Sequence, residues 1–434
     1  MWPVLDVAAM RAADATAVAE RGTDALVGAA GYAVAREARD LLPSTYGAHV
    51  AVVVGPGLNG ADGRIAARHL AARGARVEVI PVAEQPDRLS GYDLVVDAAF
   101  GLGCRRPYRA PAVTAGTPVL AVDLPSGVDA ATGAVLGSPP WATRTLALGA
   151  LKPAHLTGDA AERCGDLRLE TLDITGTPTT FLLEPSDLAG YVRAHRDDHK
   201  WRHALSVIAG SPSMRGAAEL VTRGALAGGA SMIRAWEWAG PLDGLPAEVV
   251  RETGTSVDPR SRAVVVGPGL GTDAPARLPS ILSGVTVPVV VDADALSTEL
   301  LAHRPPDAAW VLTPHDGEYA RLTGHAPGPD RLAATRELAE QTGCVVLLKG
   351  PTTVVAAPDG ATRVVHAGTP SLATAGSGDV LAGLVGAALA RGHEPLAAAS
   401  LSALAHGLAG ARLATYARSS DLASAITAVL RALG

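Results

Sequence analysis

Apolar residues recur at helical spacing over residues 5–42, with a break near Arg21 and Gly22 and an end before Pro43. After this helical region, short runs of valine, leucine and alanine alternate with amphipathic stretches. The runs are continuously apolar, which is typical of strands buried on both faces of a parallel sheet with helical crossovers. The pattern predicts strands at 49–54, 76–81, 94–96 and 119–122, and a helix at 62–73.

The composition of the sequence changes between Thr175 and Asp187, where a threonine- and proline-rich stretch is followed by a cluster of charged residues. We place a domain boundary there. The alternation then resumes. It predicts strands at 205–208, 264–266, 289–291, 309–312 and 345–348, and helices at 217–232, 317–322, 331–341 and 380–390, followed by a helical tail. The predicted fold class is therefore α/β with two domains, 1–180 and 187–434, each a mainly parallel sheet with helices on both faces.

The composition limits the classes of function. The chain has 434 residues, of which 48% are hydrophobic, and this is enough apolar material for two cores. The net charge of −6 is small and not clustered, which argues against nucleic acid or an anionic membrane as a partner. Three scattered cysteines without a CxxC pair argue against a disulfide framework or a zinc site. Without a signal sequence or a strong apolar span, the sequence predicts a cytoplasmic protein.

One stretch in the second half, residues 369–383, combines a small-residue loop, an acid and the start of a helix. The loop contains Ala375, Gly376, Ser377 and Gly378, and the acid is Asp379. Small residues allow backbone N–H groups to converge at the positive end of a helix dipole, where a phosphoryl group binds. Asp379 could accept the proton of a hydroxyl that attacks this phosphate. The alternative is a glycine-rich turn capped by an aspartate.

Five other strand ends in the second half carry polar or glycine-rich segments, at 210–218, 267–271, 292–296, 312–318 and 349–353. Because parallel strands end at one edge of their sheet, these segments are expected to converge with Asp379. Lys349 and the threonines that follow it could hold the phosphates of a nucleotide. Alone, His315 would be a helix cap near Glu318 and Lys349 a strand-end lysine in solvent. Their convergence favours a functional site.

Three strand ends in the first half combine glycines with acids, at 55–63, 97–107 and 123–129. Each of these segments alone would be a capped turn between a strand and a helix. Together at one edge of a sheet, acidic and amide side chains indicate a ligand site. Arg105 and Arg106 could hold a phosphate there.

The first-half motifs GPGLNGADG, DAAFGLGCRRP and DLPSGVDAATG resemble the Rossmann-like domain of the NAD(P)H-hydrate epimerases. Leu58 and Ala61 stand where that family usually has Asn and Gly. The resemblance implies that Asp123 is the catalytic acid/base group. It also implies a potassium ion bound by Asn59, Asp97 and Ser126, whose oxygen atoms suit a hard cation. The implied substrate-binding residues are Leu58, Asn59, Gly60, Ala61, Asp62, Gly101, Leu102, Gly103, Cys104, Arg105, Arg106, Pro107 and Asp123.

The second-half motifs DDHKWRHALSVIAGS, DADAL, LTPHDGEYARL, KGPTT and TPSLATAGSGDVLAG resemble the ADP-dependent NAD(P)H-hydrate dehydratases of the ribokinase-like superfamily. Ala375 and Ser377 stand where that family usually has Gly and Thr. The resemblance implies that Asp379 is catalytic. The implied hydrate-binding residues are Ala217, Gly269, His315 and Asp379, and the implied nucleotide-binding residues are Lys349, Gly350, Pro351, Thr352, Thr353 and Gly378.

The two resemblances cover nearly the whole chain, in the order found in bifunctional repair enzymes. They imply epimerisation of hydrated NADH and NADPH by the N-terminal domain, and ADP-dependent dehydration of the S hydrate by the C-terminal domain with release of AMP and phosphate. They further imply K⁺ in the N-terminal domain, ADP as co-substrate, Mg²⁺ in the C-terminal domain and a homo-oligomer. Two alternatives stay open: a vitamin or sugar kinase with an accessory nucleotide-binding N-terminal domain, and a binding module whose N-terminal domain, degenerate at Leu58 and Ala61, only senses nucleotides.

Overall fold

The computed structural model describes residues 1–174, 176–192, 196–238, 240–253, 256–271, 274–414 and 417–433. The chain forms two compact units, one of residues 2–180 and one of residues 181–434 with Met1. Each unit has its own main sheet and its own hydrophobic core. Within the described ranges, none of the helices has the length and apolar character that a bilayer crossing requires.

The N-terminal unit contains three α-helices and one main sheet among the described residues. The helices are Val7–Arg21, Thr23–Asp40 and Leu58–Ala71. The longer strands are His49–Val54, Arg76–Pro81, Leu94–Ala98, Val119–Val122, Arg144–Leu148 and Asp166–Glu170. Short strands lie at Trp2–Val4, Arg88–Leu89, Tyr108–Arg109, Ala112–Val113 and Gly137–Ser138.

The main sheet of this unit is parallel throughout. Its strand order is Asp166–Glu170, Arg144–Leu148, Val119–Val122, Leu94–Ala98, His49–Val54 and Arg76–Pro81. Val50 and Val52 face a core that includes Ala30 of one helix and Leu70 of another. The opposite face packs against residues of short strands and loops, including Tyr108. One face is therefore covered by helices and the other by irregular segments, where the sequence pattern predicted helices.

The C-terminal unit has helices on both faces of its sheet. The helices are Arg215–Ala227, Ala274–Leu282, Thr298–Ala302, Asp316–Thr323, Arg331–Thr342, Ser377–Ala390, Pro395–Arg412 and Ser419–Leu433. The strands are Thr180–Leu182, Ala204–Ile208, Met232–Trp236, Val249–Glu252, Ala263–Val266, Val289–Val291, Trp310–Leu312, Val345–Leu348, Thr353–Ala356 and Thr362–Val365. Two apolar cores lie on opposite sides of the sheet, one containing Val265 and Val385 and the other Val264 and Leu338.

Seven neighbouring strands of this sheet are parallel, in the order Val345–Leu348, Trp310–Leu312, Val289–Val291, Ala263–Val266, Ala204–Ile208, Met232–Trp236 and Val249–Glu252. The hairpin Thr353–Ala356 and Thr362–Val365 continues the sheet in the antiparallel sense. The carboxyl ends of the parallel strands therefore share one edge, as the sequence predicted.

The strands predicted at 49–54, 76–81, 119–122, 289–291 and 345–348 are confirmed with the same ends. The helix predicted at 62–73 begins earlier, at Leu58, so the motif that follows Gly57 lies in the first helical turns and not in a loop. The helix predicted at 217–232 was too long, because it ends at Ala227 before two glycines. The second of these, Gly229, has a φ of 83°.

Candidate active sites

A cavity of about 460 Å³ lies at the carboxyl edge of the N-terminal sheet. The three glycine- and acid-bearing segments of the first half follow strands that are direct neighbours in this sheet. Their carboxyl ends therefore meet at this cavity. Helix Val7–Arg21 adds Asp14 and Val18 to its wall, and the start of the next helix adds Leu26. The cavity thus has a polar end formed by the strand ends and an apolar end formed by helices.

The cavity brings together most of the predicted epimerase residues, and leaves some outside. Its lining includes Leu58, Asn59, Asp62, Gly101, Leu102, Gly103, Cys104 and Asp123. A Cβ atom at Gly101 would lie 3.1 Å from Asp123 Oδ2 and 3.3 Å from the Asn59 amide, so these three residues face one space. In the described segment 1–174, Gly60, Ala61, Arg105, Arg106 and Pro107 do not line the cavity.

The residues left outside the cavity have other environments. Gly60 is buried against the first strand end, where an added Cβ would lie 2.0 Å from the carbonyl oxygen of Gly55. Arg105, Arg106 and Pro107 are exposed. The two arginines could therefore reach only the outer part of a bound ligand.

Asp123 is held at the polar end of the cavity by a buried lysine. Lys152 Nζ donates to Asp123 Oδ1 at 2.5 Å and to the carbonyl oxygen of Leu148 at 2.7 Å. The lysine side chain is 1% exposed and the aspartate side chain 11%. Asp123 has a left-handed φ of 65°, a conformation that aspartate adopts more readily than most non-glycine residues and that is often found at functional sites.

A histidine fixes the backbone of the same aspartate. The N–H of Lys152 donates to His155 Nδ1 at 2.9 Å, so the ring proton resides on Nε2 and is donated to the carbonyl oxygen of Asp123 at 2.6 Å. Burial lowers the pKa of His155 to about 4, and the neighbouring Lys152 acts in the same direction. His155 is therefore a neutral hydrogen-bonding group. Lys152 holds the carboxylate of Asp123, and His155 holds its backbone carbonyl.

Two further carboxyl groups face the Asp123–Lys152 pair. Burial raises the pKa of Asp62 to about 8, and repulsion from Asp123 and Asp14 adds to this effect. Burial also raises the pKa of Asp14, although Lys152 opposes the shift. Asp62 thus carries a proton near neutral pH, while Asp123 is paired with a cation. The cavity contains a proton donor and a proton acceptor side by side.

The stability of the N-terminal unit should depend on pH through Asp62. The raised pKa means that the folded state keeps a proton that the unfolded chain releases near pH 4. Stability is therefore lost as the pH rises from about 4 to about 8. An Asp62→Asn variant cannot ionise, so its unfolding temperature should exceed that of the wild type by a margin that grows over this range. Thermal unfolding at several pH values measures the margin, and Asp159→Asn, at an exposed aspartate, should show no such growth.

Asp97 and Ser126 form a buried polar cluster beside the cavity. Asp97 accepts hydrogen bonds from the N–H of Ser126 at 2.8 Å and from its hydroxyl at 2.7 Å. Burial raises the pKa of Asp97, and these hydrogen bonds oppose the shift. The Ser126 hydroxyl also lies 3.0 Å from the carbonyl oxygen of Phe100. The Asn59 amide nitrogen is buried and has no hydrogen-bond partner among the described residues.

This cluster has the chemistry of a site for a monovalent hard cation. It offers carboxylate, hydroxyl and carbonyl oxygens, which suit such an ion. Asp97 and Ser126 therefore have the donor atoms that a potassium site requires.

In the C-terminal unit, the predicted residues lie at adjacent strand ends. An added Cβ at Gly269 would lie 2.7 Å from the Cβ of Ala217, so these two hydrate-binding candidates are in contact. An added Cβ at Gly378 would lie 3.5 Å from Lys349 Nζ. The lysine after one strand thus faces Gly378, in the first turn of the helix Ser377–Ala390. This helix begins three residues earlier than predicted, so Ser377 and Gly378 are helical and not part of a loop.

Lys349 belongs to a network of carboxylates. Its Nζ lies 2.8 Å from Asp292 Oδ1 and 3.4 Å from Glu318 Oε2. Thr313 Oγ1 also donates to Asp292 Oδ1, at 2.7 Å. Burial alone would lower the pKa of Lys349, but the two carboxylates outweigh burial and raise it. The lysine is therefore a fixed positive charge at the sheet edge.

His315 caps the helix Asp316–Thr323. Its Nδ1 accepts the N–H groups of Gly317 and Glu318, while Glu318 Oε2 accepts the N–H of His315 at 2.8 Å. The side chain is 58% exposed, so the ring remains accessible to a ligand at the same edge. The capping role that the sequence suggested and a ligand contact are therefore compatible.

Asp379 lies in the first turn of its helix and does not cap it. The N-cap is Gly376, whose φ of 86° is left-handed, and no side-chain hydrogen bond caps the helix. Among the described residues, no hydrogen bond or salt bridge holds the Asp379 carboxylate. Burial raises its pKa to about 7, repulsion from Asp292 adds to the shift and attraction to Lys349 opposes it. Asp379 is thus an unengaged carboxylate that exchanges a proton near neutral pH.

The predicted nucleotide-binding segment 349–353 forms a turn between two strands. Gly350 and Pro351 are exposed, whereas Thr352 is buried and its hydroxyl lies 2.7 Å from His366 Nδ1. Arg331 Nη2 donates to the carbonyl oxygen of Lys349 at 2.8 Å, and this contact holds the turn. The segment is accessible at the edge where Asp379 lies.

Sequence reasoning missed several polar residues of both sites. Lys152 follows the strand Arg144–Leu148, which begins with polar residues and was not predicted, so its carboxyl end was not considered. Asp14 lies on a helix, and the sequence around it does not indicate that it belongs to a site. In the C-terminal unit, Asp292 and Glu318 were noticed at strand ends but were not assigned a role.

Comparisons with known proteins cover both units. The family model described as NAD(P)H-hydrate dehydratase matches residues 205–431. The model described as YjeF-related protein N-terminus matches residues 23–90 and 81–154. A Mycobacterium leprae protein named bifunctional NAD(P)H-hydrate repair enzyme Nnr is 38% identical, over 93% of this chain and 93% of its own length. A Salinibacter ruber protein of the same name is 31% identical, over 94% of this chain and 92% of its own length.

Solved structures resemble the C-terminal unit. The ADP/ATP-dependent NAD(P)H-hydrate dehydratase of Bacillus subtilis, co-crystallised with ATP and Mg²⁺, superposes with a TM-score of 0.51 at 25% identity, over 56% of this chain and 94% of that one. A ribokinase-like superfamily protein of Enterococcus faecalis superposes with a TM-score of 0.53 at 21% identity, over 60% of this chain and 98% of that one. The second likeness concerns the fold alone.

Proposed function

Because this chain belongs to the family of bifunctional NAD(P)H-hydrate repair enzymes, we propose that each of its units carries one step of that repair. Residues 1–180 form the domain that interconverts the R and S hydrates of NADH and NADPH. Residues 187–434 form the domain that dehydrates the S hydrate with ADP and releases AMP and phosphate. The observation that carries the proposal is the unengaged Asp379 carboxylate beside a small-residue loop at a helix N-terminus.

The dehydratase step uses Asp379 as a general base. The hydrate carries a hydroxyl on the carbon beside the ring nitrogen, and hydroxide is a poor leaving group. Asp379 removes the hydroxyl proton as the oxygen attacks the terminal phosphate of the nucleotide. Backbone N–H groups of Ala375, Gly376 and Gly378 hold the charge of the phosphoryl group in transfer, and Lys349 adds a positive charge nearby. The nitrogen lone pair then expels phosphate, and loss of a proton from the next ring carbon restores the double bond.

The other residues of this half have binding roles in the proposal. Ala217, Gly269 and His315 contact the hydrated ring, and Gly378 and residues 349–353 hold the nucleotide. The carboxylates of Asp292 and Asp294 lie within electrostatic reach of Asp379 and suit Mg²⁺, which commonly binds through one or two carboxylates and phosphate oxygens. When bound with the nucleotide, Mg²⁺ would neutralise phosphate charge. The Bacillus subtilis dehydratase was crystallised with this ion.

The epimerase step uses the Asp123–Lys152 pair. At a carbon bonded to both nitrogen and oxygen, reversible opening of the carbon–nitrogen bond is sufficient to exchange the two configurations. Asp123, oriented by Lys152, accepts the hydroxyl proton as this bond breaks and the carbon becomes a carbonyl group. The neutral Asp62, on the same cavity wall, supplies the proton that the released nitrogen takes up, and the reverse steps close the ring on either face. The residues that line the cavity hold the hydrated ring, and Arg105, Arg106 and Pro107 meet the outer part of the dinucleotide.

The proposal also includes a potassium ion bound by the N-terminal unit. An ion that binds only the folded state raises the unfolding temperature. Potassium chloride should therefore stabilise the N-terminal unit more than lithium chloride at equal ionic strength, and the difference should vanish in Asp97→Asn and in Asn59→Ala. Equal unfolding temperatures of the wild type in the two salts would exclude Asn59, Asp97 and Ser126 as an ion site.

The proposal is tested by incubating the full chain with chemically hydrated NADH and either ADP or ATP. Recovery of the absorbance of the reduced nicotinamide ring, with one phosphate released per ring restored, is the expected result. A vitamin or sugar kinase would instead leave the hydrate unchanged and release a phosphorylated product. Absence of recovery with both nucleotides would contradict the proposal. Assembly into a homo-oligomer and a cytoplasmic location stay predictions, which light scattering and cell fractionation can test.

A further inference from the structure

The segment of residues 375–378, here called the phosphate loop, can bind a phosphoryl group only if its peptide planes are held in one orientation. The Ser377 N–H donates to the carbonyl oxygen of Thr374 at 3.3 Å. For the N–H groups of Ala375, Gly376 and Gly378 to point at a phosphoryl group, the carbonyl groups between them must point the opposite way, into the protein. Carbonyl groups that lose contact with water need hydrogen-bond donors, and a loop without such donors would rotate its peptide planes. The donors that meet these carbonyls therefore determine whether the N–H groups are held in place.

Two side chains supply donors to these carbonyls, and a third ties the loop to the turn before it. Ser377 Oγ donates to the carbonyl oxygen of Leu372 at 2.8 Å, within the same segment. Ser419 Oγ donates to the carbonyl oxygen of Ala375 at 2.7 Å, from 44 residues further along the chain. His406 Nε2 lies 3.0 Å from the carbonyl oxygen of Ser377. Because a carbonyl can only accept, the His406 ring carries its proton on Nε2.

The two distant donors lie on the helices of the C-terminal tail. His406 belongs to Pro395–Arg412, and Ser419 is the first residue of Ser419–Leu433. Both side chains are buried, 6% exposed each. Burial lowers the pKa of His406 to about 4, so the ring stays a neutral donor at physiological pH.

The tail packs closely on the segment that leads into the loop. An added Cβ at Gly407 would lie 2.8 Å from the carbonyl oxygen of Ala367, and one at Gly410 would lie 2.6 Å from the side chain of Leu372. Glycine at these two positions lets the helix approach close enough for His406 to reach the loop. The contact between this helix and the segment before the loop therefore depends on Gly407 and Gly410 as well as on His406.

We propose that Ser419 and His406 are positioning residues of the dehydratase, which hold the inward-pointing carbonyls of the phosphate loop so that its N–H groups face the transferred phosphoryl group. The proposal rests on the function proposed above and extends the site to the C-terminal helices. Neither residue touches the reacting atoms in this scheme. Both residues lower the activation barrier of phosphoryl transfer, because the N–H groups of the loop bind most strongly to the charge that develops in the transition state.

The test compares Ser419→Ala with Ser400→Ala in the full chain. Ser400 is also a buried serine of the tail, but among the described residues its hydroxyl bonds only within its own helix, to the carbonyl oxygens of Leu396 and Ala397. Ser419→Ala should lower kcat for dehydration about tenfold and change the Kd for ADP less than about threefold. Ser400→Ala should leave both quantities near the wild-type values, even if its unfolding temperature falls.

A second readout does not need catalysis. Amide hydrogen exchange at residues 375–379 should be about fivefold faster in Ser419→Ala than in Ser400→Ala, since a released carbonyl frees the adjoining peptide planes. His406→Leu should accelerate exchange in the same way, and His406→Gln, which keeps an N–H donor, should restore slow exchange. If the wild type restores no NADH, the proposed function fails while the exchange result still judges the positioning role. Unchanged exchange and unchanged kcat in Ser419→Ala would overturn the positioning role.

Discussion

An Asp379→Asn variant is expected to lose about three orders of magnitude in the rate of dehydration and to bind ADP as tightly as the wild type. Asparagine has the same shape but cannot accept the hydroxyl proton. The helix N-terminus should stay intact, because Gly376 and not Asp379 is its N-cap. A structural role for Asp379 would instead show as a loss of stability or of nucleotide binding.

The wild-type rate should also depend on pH through the same residue. Burial raises the pKa of Asp379 to about 7. A base acts only when deprotonated, so kcat should rise as the pH rises through about 7 and then level off. Steady-state rates across this range, with ADP binding measured separately, test both statements. Asp359→Asn, which removes a carboxylate from the turn between Thr353–Ala356 and Thr362–Val365, is the matched control and should leave the rate and its pH profile unchanged.

Breaking the Asp123–Lys152 pair is expected to abolish epimerisation and to destabilise the N-terminal unit by about 3–5 kcal/mol. Lys152→Met leaves a carboxylate facing an apolar chain, and Asp123→Asn leaves a buried lysine without its counter-charge. Asparagine is the suitable replacement for Asp123 because it tolerates the left-handed φ of 65°. The double variant Asp123→Asn with Lys152→Met should recover much of the stability, because no buried charge is left unpaired, and should remain inactive.

Denaturant unfolding of the full chain, together with chromatographic exchange of the R and S hydrates, separates the two effects. Glu37→Gln is the control, since it breaks the contact with Arg144 at 3.1 Å in the same unit without touching the cavity lining. It should lower stability and leave epimerisation intact. Activity in Lys152→Met, or in the stable double variant, would show that the buried pair serves folding only.

The fold was largely predictable because its strands are buried on both faces. A run such as residues 49–54 has no polar position after His49, and glycines at 47 and 55 mark its two ends. The strand Arg144–Leu148 was missed because it begins with Arg and Thr. In the structure, Arg144 pairs with Glu37, and the Thr145 hydroxyl bonds to the carbonyl oxygen of Cys164, so both polar groups are satisfied by tertiary partners that the local pattern cannot reveal.

The candidate sites were predictable to the extent that they follow strand ends. Topology alone brings Asp97 and Asp123 to one edge, as it brings Lys349 and Asp292 to another. The residues that determine the charge and orientation of these groups are distant in the sequence. Lys152 follows a strand that was not predicted, and Asp14 lies on the first helix. The orientation of Asp379 was also open, because only the left-handed Gly376 shows that the cap lies three residues earlier.

If one chain repairs both hydrates, the full chain given the R hydrate of NADH together with ADP should consume that hydrate as NADH and phosphate appear. The Asp379→Asn variant should convert the R hydrate to the S hydrate without producing NADH. Chromatography of the two hydrates, with absorbance of the reduced ring, measures both results. If the R hydrate persists at the level of an enzyme-free sample while the S hydrate is consumed, the N-terminal unit does not epimerise the hydrates.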